Sequence, residues 1–204
     1  MSLPTFPEPL TSDDIRGHLR TRPTLAPGTW RTAWPGGLVR PDRGNALLLL
    51  DVDGVLHPDA CDPLDHFCRL HLVIDVLDEV QDVDVVWAST WRFQKPWATL
   101  MARIPERLHE RFIGATPAHL YPRGEACPVG PRRLEVEAFL ADVLRDPSRP
   151  WVAVEDQPLY DGASHGQVLF CNPRTGLAPA GEGNGFADAG ALRERLKRLS
   201  REGR

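Results

Sequence analysis

Residues 46–58 read Ala46-Leu47-Leu48-Leu49-Leu50-Asp51-Val52-Asp53-Gly54-Val55-Leu56-His57-Pro58, and the fold turns on this stretch. Four consecutive leucines behind an alanine form a short apolar run of the kind buried on both faces of a parallel sheet. A strand is predicted over Ala46–Val52, and Gly54 supplies the break by which the chain leaves it. Two aspartates spaced by two at such a tip are not there for stability, because an unpaired buried charge is costly. With the strand broken at Gly54, both can face one ligand.

From Ala46 onward, short apolar strands alternate with helical segments, the signature of an α/β domain. Further strands are predicted at Val83–Ala88, Arg111–Ala115, Trp151–Glu155 and Val168–Cys171. Val73, Val76, Leu77 and Val80 fall at helical spacing, as do Leu134, Val136, Phe139, Leu140 and Val143. Ala191, Leu192, Leu196 and Leu199 mark a closing amphipathic helix. The expectation is a Rossmann-like three-layer α/β sandwich with a five-stranded, mainly parallel sheet over residues 46–204. Residues 1–45 carry seven prolines, from Pro4 to Pro41, and read as an irregular arm. Within it, Thr11-Ser12-Asp13-Asp14 caps one short helix reaching about Leu19.

The chain of 204 residues is long enough for one core of ordinary size. Its 42% hydrophobic and 25% charged residues fit neither a disordered chain nor a membrane protein. No apolar run approaches the length of a membrane span, and no basic start with an apolar h-region follows Met1, so a cytoplasmic location is expected. A formal charge of −4 offers no global attraction to a polyanion. Cys61, Cys68, Cys127 and Cys171 contain no C-x-x-C pair, and reduced thiols are expected. Cys61, His66, Cys68 and His71 have the chemistry of zinc ligands, but their spacing fits no structural zinc pattern.

Ligands of open parallel sheets bind beyond the carboxyl ends of the strands. Three predicted strands end in suitable groups: Asp51 and Asp53 on the first, Ser89 and Thr90 on the second, Glu155-Asp156 on the fourth. Magnesium prefers six oxygens, taking one or two carboxylates and sharing the rest with water and substrate phosphate. Asp51 and Asp156 meet that demand. His57 stands close enough to touch substrate, although Pro58 also suits a structural loop. Arg92 reads equally as a substrate contact or an ion-paired residue. Arg132 and Arg133 point in different directions on a helix, so one of them at most enters the site, with Arg133 favoured.

The motif Asp51-Val52-Asp53-Gly54-Val55 resembles the first motif of the haloacid dehalogenase-like (HAD) phosphatase superfamily. Ser89, with Thr90 beside it, resembles the second motif, and Asp156 with Asp161 the fourth. The third motif is normally a lysine near the start of the preceding helix. No lysine lies between Lys95 and Lys197, and Arg132 and Arg133 occupy that region. Ser89-Thr90-Trp91-Arg92, Ile113-Gly114-Ala115-Thr116-Pro117 and Arg133-Leu134-Glu135-Val136 are similar to the HAD domains described for bacterial RNA-repair (Swiss Army Knife) proteins. The resemblance implies a magnesium-dependent phosphoric monoester hydrolase. Asp51 would be its nucleophile, forming an aspartyl-phosphate, and Asp53 its general acid and base. Ser89 would bind a phosphoryl oxygen and one arginine would neutralise charge. Asp51, Asp53, Asp156 and Asp161 would gather round the metal.

About thirty residues separate Asp53 from the strand near Val83, which leaves His57–Leu72 as a flap too short for a cap domain. Thr116–Gly130 is also too short. An open site admits a nucleic-acid end or other macromolecular terminus as well as a small ester; neither a membrane nor a stable protein partner is expected. The alternatives are a non-catalytic binding module of the same fold and a phosphotransferase.

Overall fold

The computed structural model describes residues 37–117, 130–160 and 166–202. Its sheet contains β1 (Gly37–Leu38), β2 (Ala46–Leu50), β3 (Val83–Trp87), β4 (Phe112–Ala115), β5 (Trp151–Glu155) and β6 (Val168–Phe170), in the order β1-β4-β3-β2-β5-β6. All pairings are parallel except β1 with β4. The five predicted strands are present, and β1 is a sixth, drawn from the segment read as part of the arm. A two-residue strand has no periodicity to read, and its pairing depends on Gly114: a Cβ there would stand 2.2 Å from the Gly37 carbonyl oxygen. Asp161, Cys127 and the short helix expected near residues 11–19 lie outside the described residues, as do most of the arm and much of the loop before Gly130.

The central strand β2 is buried at every position, and its alternation divides the core in two. Leu48 and Leu50 face α1 (Leu70–Glu79) and the last helix, through Val73, Val76, Leu77, Leu192 and Leu196. Between those helices in sequence come α2 (Trp97–Met101) and α3 (Pro131–Ala138); the last helix is α4 (Ala189–Glu202). Leu47 and Leu49 face the other way, against Val136, Phe139 and Leu140 of α3 and the π-helical turns of Phe139–Leu144 that continue it. This is the expected three-layer arrangement. Each buried leucine contributes roughly 1.5–3 kcal/mol relative to exposure, so the apolar strand can support charged groups at its tip. Among the described residues, no helix is long and apolar enough to cross a membrane.

Two arginines tie the layers together. Arg111 donates to the carbonyls of Leu77 and Val80 (2.7 Å), which the end of α1 leaves open, and to that of Val83 (2.8 Å) at the start of β3. Arg149, ahead of β5, forms a fork with Asp42 at 2.8 and 2.9 Å and reaches Asp146 at 2.9 Å. Arg149→Ala is expected to destabilise the protein by about 2 kcal/mol, a fall in Tm of roughly 4–8 °C. The Arg149 hydrogen bond holds the Asp42 carboxyl below its ordinary 3.8, and Ser148 and then Arg149 do the same for Asp146. Depressed carboxylates contribute stability above their unfolded value and lose it as pH falls through the folded one. The difference between wild type and variant should therefore be full above about pH 4 and close on acidification; thermal melts across pH test this.

Candidate active site

The strand tips bring the sequence-predicted residues together in two groups. Asp51 leaves β2 with its backbone N–H still bonded to the Val154 carbonyl (3.3 Å), which sets it beside the end of β5. Single ligand oxygens of Asp51, Glu155 and Asp156 lie within 4.8 Å of one another. Glu155 is buried; its Oε1 accepts from the Asp156 (3.1 Å) and Gln157 (3.4 Å) N–H groups, while its Oε2 accepts from Arg132 Nε (3.3 Å). Burial, and then the charge of Asp51, push the Glu155 carboxyl well above the usual range; the Asp156 carboxyl is also raised, first by burial. Three acids this close call for a cation.

The residues fit a divalent metal on two further observations. Asp156 Oδ1 is buried and has no hydrogen-bond partner, an unusual state for a carboxylate oxygen. Gly54, at φ +66°, lies so close to Asp156 that a Cβ would fall 2.3 Å from its Oδ2. The tips of the neighbouring strands β2 and β5 are thus packed into one cradle. Gly54→Ala would meet both the carboxylate and a backbone conformation that L residues rarely adopt, at a cost of roughly 1–3 kcal/mol. The variant is expected to melt lower and to lose any rise in Tm on adding Mg2+; a Mg2+ response equal to wild type would show that Asp156 shifts without consequence.

Asp53 belongs to the second group, and its carboxylate stands apart from the three acids. Phe67 N–H donates to His57 Nδ1 (3.3 Å), so Nε2 carries the hydrogen and donates to Asp53 Oδ1 (3.0 Å). Trp91 Nε1–H donates to both Asp53 oxygens at 2.8 Å. The His57 hydrogen bond, with Trp91 adding to it against the effect of burial, lowers the Asp53 carboxyl below 3.8. His57 is itself buried and stacked on His66, with ring centroids 4.6 Å apart. The zinc quartet does not assemble: His57, Cys61 and His66 are the Cys and His side chains that converge among the described residues. Both nitrogens of that His57 are already engaged, and His71 bonds the Cys68 carbonyl at 3.0 Å.

Ser89 is buried at the end of β3, and its Oγ accepts from Trp91 N–H (3.2 Å), capping the 3₁₀ turn Thr90–Phe93. Thr90 is exposed. The phase of α3 reverses the preference between the two arginines. Arg132 is buried, bonded to Glu135 (2.9 Å) and Glu155, whereas Arg133 pairs with Glu137 (2.7 Å) on the outer face. Burial opposes the charge of Arg132, but Glu135, Asp51 and Glu155 outweigh it and raise its pKa. Arg92 is also buried: its Nε donates to the Thr116 carbonyl (2.8 Å), Nη1 to the Ser89 carbonyl, and Nη2 pairs with Glu135 (2.8 Å). That enclosure makes it an ion-paired anchor rather than a substrate contact. Trp91 and Glu135 are not among the expected site residues: both stand in strings that carry the family resemblance, but nothing along the chain gives the aromatic of a short turn or the glutamate of a helix a role at the site.

A mainly parallel sheet whose central strand ends in D-x-D-G, with a serine and a Glu-Asp pair on the flanking tips and a buried arginine beside them, defines a haloacid dehalogenase-like domain, the fold of phosphatases and related hydrolases that generally use Mg2+. The chain belongs to the family described as the HAD domain in Swiss Army Knife RNA repair proteins, whose sequence model matches residues 47–180. No curated protein and no solved structure matches it.

Proposed function

We propose that the chain is a magnesium-dependent phosphatase that hydrolyses a phosphate monoester at the end of an RNA strand, through an aspartyl-phosphate on Asp51. The observation that carries this reading is the convergence of Asp51, Glu155 and Asp156 beside the buried Arg132. Asp51 and Asp156, with Glu155 behind them, would hold Mg2+, whose charge offsets the repulsion between a phosphate dianion and the Asp51 carboxylate. Asp51 attacks phosphorus as the bond to the leaving oxygen breaks, and protonated Asp53 gives that oxygen its proton. Asp53 then takes a proton from the water that attacks the acyl phosphate, releasing inorganic phosphate and regenerating Asp51. The donors on Asp53 from His57 and Trp91 favour its carboxylate form, which suits the second step and opposes the first, so the first step draws on the minor fraction of Asp53 that carries a proton. Ser89 Oγ–H and Arg132 bind the phosphoryl oxygens where charge accumulates.

Two features favour a macromolecular end. The flap from His57 carries one 3₁₀ turn, Pro63–Asp65, before α1 begins, which is too little chain to enclose a substrate. Beside Asp53, His66, Phe67 and Trp91 form a half-buried ring cluster, with Lys95 5.7 Å from the Trp91 ring and Arg103 5.8 Å from that of Phe67. Aromatic faces flanked by cations stack nucleobases, and the family description names RNA repair. The test is phosphate release from 3′- and 5′-phosphorylated oligoribonucleotides, phosphopeptides and small phosphate esters, with Mg2+ or EDTA, across salt. Oligoribonucleotide ends should be hydrolysed at least as fast as mononucleotides, with activity falling as salt rises. Turnover confined to one small ester, with every macromolecular end refused, would overturn the substrate assignment, and no Mg2+-dependent release from any of them would overturn the phosphatase reading.

A further inference from the structure

We infer that Glu135 is a positioning residue that, braced by Arg92, aims Arg132 at the phosphoryl group on Asp51; the inference rests on the phosphatase reading above. Glu135 Oε2 lies 2.9 Å from Arg132 Nη1 and 2.8 Å from Arg92 Nη2, and the three side chains are 8%, 6% and 1% exposed. Two guanidiniums this close repel, and the Arg132 charge counts against Arg92, whose pKa burial pulls down to about 10 while Glu135 opposes the fall. A carboxylate between them offsets that repulsion at the point where α3 meets the strand tips.

The arrangement has a fixed side and a working side. Arg92 is held by the Ser89, Thr116 (2.8 Å) and Pro117 (3.4 Å) carbonyls, at the ends of β3 and β4. Those contacts leave Arg92 no approach to substrate and make it a post. Arg132 is gripped from two sides, at Nη1 by Glu135 and at Nε by Glu155, which sets the plane of its guanidinium beside Asp51. The Ser89 carbonyl on the same post links the phosphate-binding serine to the cation. An arginine here, unlike the lysine usual in the superfamily, presents a planar fork whose value depends on orientation, so it requires such a brace.

The experiment compares wild type with Glu135→Gln, which keeps the volume and one acceptor but removes the charge, and with Glu137→Gln, an outer-face control. Steady-state kinetics on an aryl phosphate, well below both melting temperatures, should show kcat of Glu135→Gln reduced about 10–100-fold, the usual cost of losing a partner behind a working group. KM should change by less than about threefold, and Glu137→Gln should match wild type within about twofold. Should Glu135→Gln not fold, Arg92→Lys decides: it keeps a cation but loses the fork, and should lower kcat about 3–10-fold. A variant whose Tm falls while kcat per folded molecule stays at the wild-type level would overturn the inference and leave Glu135 a packing residue. If the wild type itself releases no phosphate, the phosphatase reading fails separately. Calorimetric titration with orthovanadate and Mg2+, in which the five-coordinate oxyanion stands in for the transition state, then decides this one: weaker binding to Glu135→Gln upholds it, whereas equal binding, or none to wild type, overturns it.

Discussion

Asp51→Asn is expected to abolish phosphate release, by a factor of at least about 10⁴, while the protein stays folded. The amide cannot attack phosphorus, and no other described side chain stands where Asp51 does at the end of β2. The fold should survive because the substitution removes a charge from a crowded group of three acids. Burial raises the Glu155 carboxyl most and the Asp51 charge raises it next. A carboxyl raised in the folded state holds a proton that the unfolded chain releases, so stability is lost as pH climbs from 4.5 towards the raised value. Without the Asp51 charge that loss is smaller. In EDTA, Asp51→Asn should therefore melt at or above the wild-type temperature at neutral pH, with the two converging near pH 4. Residual turnover above about one percent would remove Asp51 as the nucleophile.

Arg132→Ala is expected to lower kcat about 10²–10³-fold, the scale seen when one preorganised partner of developing charge is removed. Arg133→Ala should fall within about twofold of wild type, because an exposed i,i+4 pair such as Arg133–Glu137 contributes only a few tenths of a kcal/mol. Arg132→Ala also strips Glu155 of its cation in a buried setting, so a fall in stability of about 3 kcal/mol should accompany it. Arg132→Lys separates the two effects. It retains the charge and should recover most of the stability, but its point charge cannot satisfy Glu135 and Glu155 as the fork does, so kcat should stay below wild type. A damaging Arg133→Ala with a silent Arg132→Ala would mean that the outer face of α3 is the working one.

The sequence by itself determined the sheet and its leading carboxylates. Leu47 to Leu50 form a run readable as a doubly buried strand, and Asp51, Gly54, Ser89 and Asp156 announce themselves by following such runs directly, so one-dimensional spacing places them at the strand tips. Tertiary structure decided everything that depends on phase or on contact between distant segments. Arg132 rather than Arg133 turns inward because of where α3 packs through Val136 and Phe139, and adjacent residues on a helix differ by about 100°. Glu155, one position before the expected aspartate, joins the acidic group because the Arg132 guanidinium and the Asp156 and Gln157 N–H groups hold its buried carboxylate. Arg92 became a post once the Ser89 and Thr116 carbonyls closed round it, and His57 and Trp91 came to hold Asp53 through a loop and a turn thirty-four residues apart in sequence. β1 joined the sheet through the space at Gly114. None of these has a periodicity, because a hydrogen bond between remote residues leaves no pattern along the chain.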